Sequence, residues 1–144
     1  MGTRWTTVVR TFRESIQTRG NGHILDITSA VSQAVESSGL KEGLATVFVT
    51  GSTASLTTIE YEPGLVHDLT EAFERLYPRE MEYRHHERWG DDNGHSHVRA
   101  SMLGPSVSVP FARSRLTLGT WQQIILVDFD TSPRSRDYII QILG

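Results

Sequence analysis

The sequence predicts an α+β domain: a two-layer, mainly antiparallel β sandwich with about two flanking helices. Strand-like runs follow one another across short turns instead of alternating regularly with helices, which favours antiparallel pairing over a βαβ pattern. Only two segments carry apolar residues at the 3.6-residue helical period. The length of 144 residues, with 38% hydrophobic and 22% charged residues, suits one core and an ordinary globular composition. Residues 1–144 are therefore read as a single domain.

The elements follow in chain order. Trp5 to Phe12 alternates apolar and polar residues, and His23 to Ile27 is a second short strand-forming run beyond the turn Thr18-Arg19-Gly20-Asn21-Gly22. With Thr28 or Ser29 as N-cap, Val31, Ala34, Val35 and Leu40 form an apolar stripe that predicts a helix over 29–38, ended by Ser38-Gly39. Leu44 to Thr50 is dense in β-branched residues and reads as a strand buried on at least one face, and Ser55 to Tyr61 reads as another after the Gly51-Ser52-Thr53 interruption. Leu65, Val66, Leu69, Ala72, Phe73 and Leu76 share one face of an amphipathic helix over 64–76, stopped by Pro78. From there to His97 the periodicity is lost, so a long polar loop is expected. Strands are expected again at Val98–Leu103, Val107–Pro110, Leu116–Leu118, Gln123–Phe129 and Tyr138–Leu143, giving about eight in all.

Composition excludes several chemistries. There is no cysteine, hence no disulfide, iron–sulfur ligation or thiolate nucleophile, and a metal site must draw on His, Asp, Glu or Asn. Met1 to Arg10 has no apolar signal region, and no run approaches the ~20 apolar residues of a membrane-spanning helix, so a cytoplasmic protein with no membrane partner is expected. A net charge of −3 gives no general attraction for nucleic acid. Arg113, Arg115, Arg134 and Arg136 make the C-terminal third locally basic, which suits the phosphate of a small molecule.

The chemistry is concentrated between Tyr83 and His97. His85, His86, His95 and His97, four of the six histidines, lie there with Glu87, Asp91, Asp92 and Asn93. Imidazole lone pairs bind zinc and similar ions, and His95 and His97 would share a face if their segment were extended. The alternative is a solvated loop, against which Tyr83 and Trp89 argue, since aromatic rings suit a partly desolvated pocket. Glu60 stands at a strand end, where catalytic acids are often placed; Asp68 lies in the first turns of the second helix, where an acid also favours the helix dipole. Gly51, Ser52 and Thr53 offer backbone amides and hydroxyls to an anion, although ordinary turn chemistry explains them equally. Arg134 is a candidate phosphate fork, and Gln122, beside Trp121, can read a polar ligand.

Taken in order, the segments Leu116-Thr-Leu-Gly-Thr-Trp-Gln122, Asn93-Gly-His-Ser-His97, Ala100-Ser-Met-Leu-Gly-Pro105 and Pro133-Arg134, with Thr53-Ala54, Glu60 and Asp68, resemble the YjbQ-like family, also called secondary thiamine phosphate synthases. The resemblance covers almost the whole chain. It implies an α+β sandwich, a homotrimer, and polar residues gathered in clefts near subunit contacts. The matching positions are Glu60, Asp68, Tyr83, His85, Asn93, His97, Trp121, Gln122 and Arg134. Two departures are Gly51, where the family's His-Thr-Thr-Ala has its histidine, and Ser114, where a glycine is usual.

The resulting expectation is a transferase that joins an aminopyrimidine diphosphate to a thiazole phosphate with loss of pyrophosphate. Glu60, His85, Asn93 and His97 are expected to be catalytic, and Gly51, Ser52, Thr53, Asp68, Tyr83, Gln122 and Arg134 to bind the ligand. His85, His97 and His95 are expected to hold a divalent metal, zinc or magnesium. A non-catalytic oligomer that binds a metal or a phosphorylated ligand, and a metal-dependent hydrolase, are the competing readings.

Overall fold

The computed structural model describes residues 2–144. Its elements are β1 (Val9–Thr18), β2 (His23–Asp26), α1 (Thr28–Ser38), β3 (Gly43–Val49), β4 (Ala54–Ile59), α2 (Pro63–Leu76), α3 (Arg84–Trp89), α4 (Gly94–Leu103), β5 (Ser106–Ala112), β6 (Arg115–Leu116), β7 (Gln123–Asp128) and β8 (Arg134–Leu143). A five-stranded sheet in the order β1-β8-β3-β5-β6 faces a three-stranded sheet in the order β2-β7-β4. Every pairing is antiparallel. The α+β sandwich is as the sequence predicts. No helix among the described residues is long and apolar enough to cross a membrane.

Strand β7 explains the layering. Ile124, Ile125, Leu126 and Val127 are all fully buried, because both faces of the small sheet are covered. Alternation sends Ile124 and Leu126 inward, to a core shared with Val47 and Val49 of β3, Ile140 and Ile142 of β8, and Val31 and Val35 of α1. Ile125 and Val127 point outward, to a second core closed by Phe73 of α2 and Ala100 of α4, with Phe129 stacked edge-on against Phe73 at 4.8 Å. The Glu62 carboxylate caps α2 by accepting from the amides of Gly64 and Leu65, and Pro63 occupies its first turn.

The segment after Pro78 departs from expectation. Four helices are present among the described residues instead of two: the expected polar loop contains α3 and the start of α4, and the expected strand Val98–Leu103 is the rest of α4. The buried face of α4 is small and polar. Ser96, Ala100 and Leu103 lie over the small sheet, with the Ser96 hydroxyl donating to the Phe129 carbonyl (2.5 Å) and the Ser55 hydroxyl donating to the Ala100 carbonyl (2.9 Å). Val98 and Met102, the residues that read as apolar strand positions, are on the exposed side. Two smaller corrections concern boundaries. Strand β1 begins only at Val9, leaving Trp5 91% exposed. Neither Thr28 nor Ser29 caps α1; the Asp26 carboxylate accepts from the Thr28 amide (2.9 Å) and hydroxyl (2.6 Å).

One buried ion pair fastens the sheets together. The same alternation that points Tyr138, Ile140 and Ile142 inward also points Arg136 of β8 inward, and Asp128 follows Ile124 and Leu126 on β7. Arg136 donates from Nε to Asp128 Oδ2 (3.0 Å) and from Nη2 to Asp128 Oδ1 (2.8 Å), with side-chain exposures of 5% and 0%. Thr18 at the end of β1 donates to Asp128 Oδ2 (2.5 Å), and Arg136 Nη2 also donates to Thr53 Oγ1 (2.5 Å), just before β4. Four segments therefore converge on one carboxylate and one guanidinium.

Arg136→Met leaves the Asp128 charge buried without its partner. Urea unfolding near neutral pH should show a loss of about 3–5 kcal/mol. Burial alone would raise the Asp128 pKa, but the hydrogen bonds from Arg136, Thr18 and the Asp130 amide hold it below the ordinary carboxylate value. Its stabilisation is thus present above the unfolded-state pKa and disappears as pH falls through the depressed folded value, so the wild-type advantage over Arg136→Met should shrink in acid.

Candidate functional site

The site grows outward from that ion pair. Asp130, two residues beyond Asp128, is 3% exposed, accepts from the Thr53 hydroxyl (2.9 Å) and the Thr131 amide (2.7 Å), and forms an ion pair with Arg134, whose Nε lies 3.2 Å from Oδ2. Arg134 lies two residues before Arg136 on the same face of β8, but at the rim, where half its side chain remains exposed. Burial works against the Asp130 charge, and the hydrogen bonds from Thr131 and Thr53 with the Arg134 charge more than offset it, so its pKa lies below the usual range. This anionic post stands next to Asn93 and His97.

The α3–α4 turn carries the other half. Gly90 ends α3 in the left-handed conformation, Asp92 donates its amide to His86 Nδ1 (3.0 Å), and the Asn93 carbonyl accepts from the amides of Ser96 (3.0 Å) and His97 (3.3 Å). Gly94 is required by close approach: a Cβ there would lie 2.4 Å from Tyr83 Cβ. The buried Asn93 amide, oriented with its nitrogen toward acceptors, donates to Asp91 Oδ1 (3.0 Å) and His85 Nε2 (3.2 Å). Asp91 Oδ2 lies 3.6 Å from His85 Nε2. His97, one turn into α4, brings its ring to 4.3 Å from that of His85.

Two half-buried imidazoles, an amide, two carboxylates and a rim arginine thus share one end of the sandwich. Burial and the charge of a protonated His85 push the His97 pKa below 6.5, against the opposing pull of Asp130 and Asp91. His97 is therefore neutral near pH 7, with a lone pair available to accept a proton.

The structure divides the other candidates. His95 is not with His85 and His97: two residues apart on a helix, His95 and His97 point to roughly opposite sides. His95 is 3% exposed, 6.3 Å from the Tyr83 ring, and lines a cavity of about 180 Å³ with Glu74, Arg79 and Arg99. Burial, then Arg99 and Arg79, lower its pKa. The expected trio of metal ligands is therefore split, and no group of three His, Asp or Glu side chains among the described residues is arranged to hold a metal ion. Tyr83 is committed to structure, its hydroxyl donating to the Pro78 carbonyl (2.7 Å).

Glu60 and Gln122 lie at the far end of the small sheet. Thr53 precedes β4 and Glu60 follows it, which separates them by roughly 20 Å at ~3.3 Å per residue. Gln122 donates to Thr58 Oγ1 (3.0 Å) and accepts from the Gly119 amide (3.1 Å), beside Trp121, which is 71% exposed. Asp68 is exposed on α2. Gly51 and Ser52 are exposed beside Thr53 at the histidine end.

Asp128, Asp130 and Arg136 were not singled out as site residues by the sequence reading. The available signal was a pair of acids two apart, closing an apolar run, followed by two arginines with the same spacing.

The YjbQ-like family model, described as "UPF0047 protein YjbQ-like", matches residues 13–144. The chain belongs to this family. It is 38% identical over 129 residues to a UPF0047 protein of Archaeoglobus fulgidus, covering 90% of this chain and 98% of that one. It is 32% identical over 130 residues to the UPF0047 protein YugU of Bacillus subtilis, covering 90% and 96%. The fold matches a YbjQ-like protein of unknown function from Sulfolobus solfataricus, with a TM-score of 0.85, 32% identity, and coverage of 95% and 99%. It also matches an uncharacterised YjbQ-family protein from Clostridium acetobutylicum, with a TM-score of 0.84, 32% identity, and coverage of 91% and 98%.

The lowered His97 pKa gives a direct test by imidazole NMR. The midpoint of His97 should lie below 6.5, and His85→Ala, which removes both covering atoms and a neighbouring positive charge, should move it upward. A downward or absent shift contradicts the pairing. Between the folded midpoint and 6.5 the unfolded chain binds more protons, so the His97 contribution to stability is complete above that window and falls on acidification.

Proposed function

We propose that this protein is an enzyme acting on a small phosphorylated molecule, by a transfer that expels pyrophosphate as in a thiamine phosphate synthase. The observation that carries the reading is the His85–His97 pair, 4.3 Å apart, on the same end as the Asp130–Arg134 ion pair. Acid–base groups and an anion-binding rim are what such a transfer requires.

In this reading the bond between the pyrimidine methylene carbon and the pyrophosphate oxygen breaks, and the thiazole nitrogen forms the new bond to that carbon. Arg134 and the Gly51–Ser52 amides hold the departing phosphates, stabilising charge that grows as the bond lengthens. Neutral His97 accepts a proton from the pyrimidine amino group as the bond to pyrophosphate breaks and returns it once the thiazole nitrogen has bonded, and His85, its Nε2 held by the Asn93 amide, lies beside it. Glu60 does not share this role within one chain, because it lies at the other end of β4. No step is assigned to zinc or magnesium, since His95 is turned away from the other two imidazoles.

The proposal extends to a homotrimer. The family resemblance implies clefts near subunit contacts that would gather Glu60, Asp68 and Gln122 with His85 and His97, whereas one chain keeps Glu60 and Gln122 apart from the histidines. A neighbouring copy resolves this by bringing its far end, with exposed Trp121, to the histidine end. Light scattering on the 16.2 kDa chain should give three times the monomer mass, and Trp121→Ala should lower it. A monomeric wild type would overturn this part.

A second reading is favoured by Gly51, where the family has histidine: a non-catalytic protein that holds the phosphorylated ligand. Turnover decides between them. Purified protein given both substrates should form product, with His97→Ala slower by about 100-fold or more while still binding ligand. Tight binding with no product in wild type supports the second reading, and neither binding nor turnover overturns both.

A further inference from the structure

Arg136 has more hydrogen-bonding capacity than its ion pair uses. Its Nε and Nη2 are committed to Asp128 and Thr53, whereas no protein acceptor is recorded for Nη1 among the described residues. A buried guanidinium edge without a partner is costly. No fully buried side-chain nitrogen or oxygen among the described residues lacks a partner, so Nη1 is not sealed off: the one free edge of this otherwise buried arginine reaches the surface.

It does so at Gly51. A Cβ on that residue would lie 2.7 Å from Arg136 Nη1, closer than carbon and nitrogen tolerate, and three hydrogen bonds stop the guanidinium from swinging aside. Gly51 and Ser52 are exposed, and their amides make no hydrogen bond within the protein among the described residues. The absent side chain therefore lets the guanidinium edge lie against the Gly51 backbone, with two free amides beside it.

We propose that the exposed Gly51–Ser52 edge is a phosphoryl subsite, a window at which the unpartnered Arg136 Nη1 edge and the two free amides meet the terminal phosphoryl group of the ligand. The inference rests on the reading of a phosphorylated ligand and deepens it by naming a residue and the reason for the glycine. Because Asp128 and Asp130 balance the charges of Arg136 and Arg134, selection comes from donor number more than net charge. Two amides and the guanidinium edge match the three oxygens of a phosphoryl group better than the two of a carboxylate. Arg136 thus has two jobs: Nε and Nη2 fasten the sheets, and Nη1 meets the ligand.

The test is titration of wild type and Gly51→Ala with inorganic phosphate and, separately, with acetate, followed by calorimetry and by the Arg136 side-chain N–H resonances. Wild type should bind phosphate in preference to acetate, with the Arg136 signals shifting on binding. Gly51→Ala should weaken phosphate binding by about 10-fold or more, the scale of one charge-assisted hydrogen bond. Gly51 is not in the left-handed region, so alanine is compatible with its backbone; if the variant nevertheless fails to fold, the wild-type Arg136 signals decide alone. Phosphate bound with Arg136 signals unmoved, or bound equally by Gly51→Ala, overturns the window and leaves the phosphorylated-ligand reading intact. No phosphate binding by wild type overturns both.

Discussion

The Arg136–Asp128 ion pair is the constraint around which this end of the molecule is organised. A buried pair repays its desolvation only when the remaining lone pairs and N–H groups are satisfied. Thr18 and the Asp130 amide complete Asp128, and Thr53 takes the second bond from Arg136 Nη2. These partners come from β1, the segment after β7 and the segment before β4. The polar network therefore fixes how the two sheets meet, which apolar packing between flat faces leaves less well defined.

The candidate site inherits its geometry from that network. Asp130 is held by Thr53 and Thr131 and in turn holds Arg134. On the other side, α4 is tied to the small sheet by Ser96 and Ser55, which sets the position of His97. Asn93 then links the α4 start to His85 and Asp91. His97 and Asp130 stand on well-packed elements, whereas α3 has no buried residue, so the His85 side is the part of the site most able to adjust to a ligand.

The sandwich was legible because its strands obey simple patterns: β-branched alternation in β3 and β8, and a doubly buried apolar run in β7. Helix α2 was legible from its apolar face. Helix α4 was not, because its buried face is built from Ser96, Arg99, Ala100 and His95 while Val98 and Met102 face outward, reversing the signal that hydrophobic periodicity reads. That one reversal also misplaced His95, since residues two apart share a face on a strand and oppose each other on a helix. His85, Asn93, His97 and Arg134 were found by density and by family resemblance. Asp128 and Asp130 escaped notice because an acid at a strand end is ordinary until the arginine opposite it is known.

In the proposed function the histidine end of the sandwich, organised by the buried ion pair, is where a phosphorylated ligand sits. A crystal structure with inorganic pyrophosphate tests it most directly. Pyrophosphate is expected against the Gly51–Ser52 amides, Arg134 and Arg136 Nη1, with His97 facing it. Pyrophosphate bound instead near Glu60 and Gln122 of the same chain, with the histidine end untouched, would contradict it.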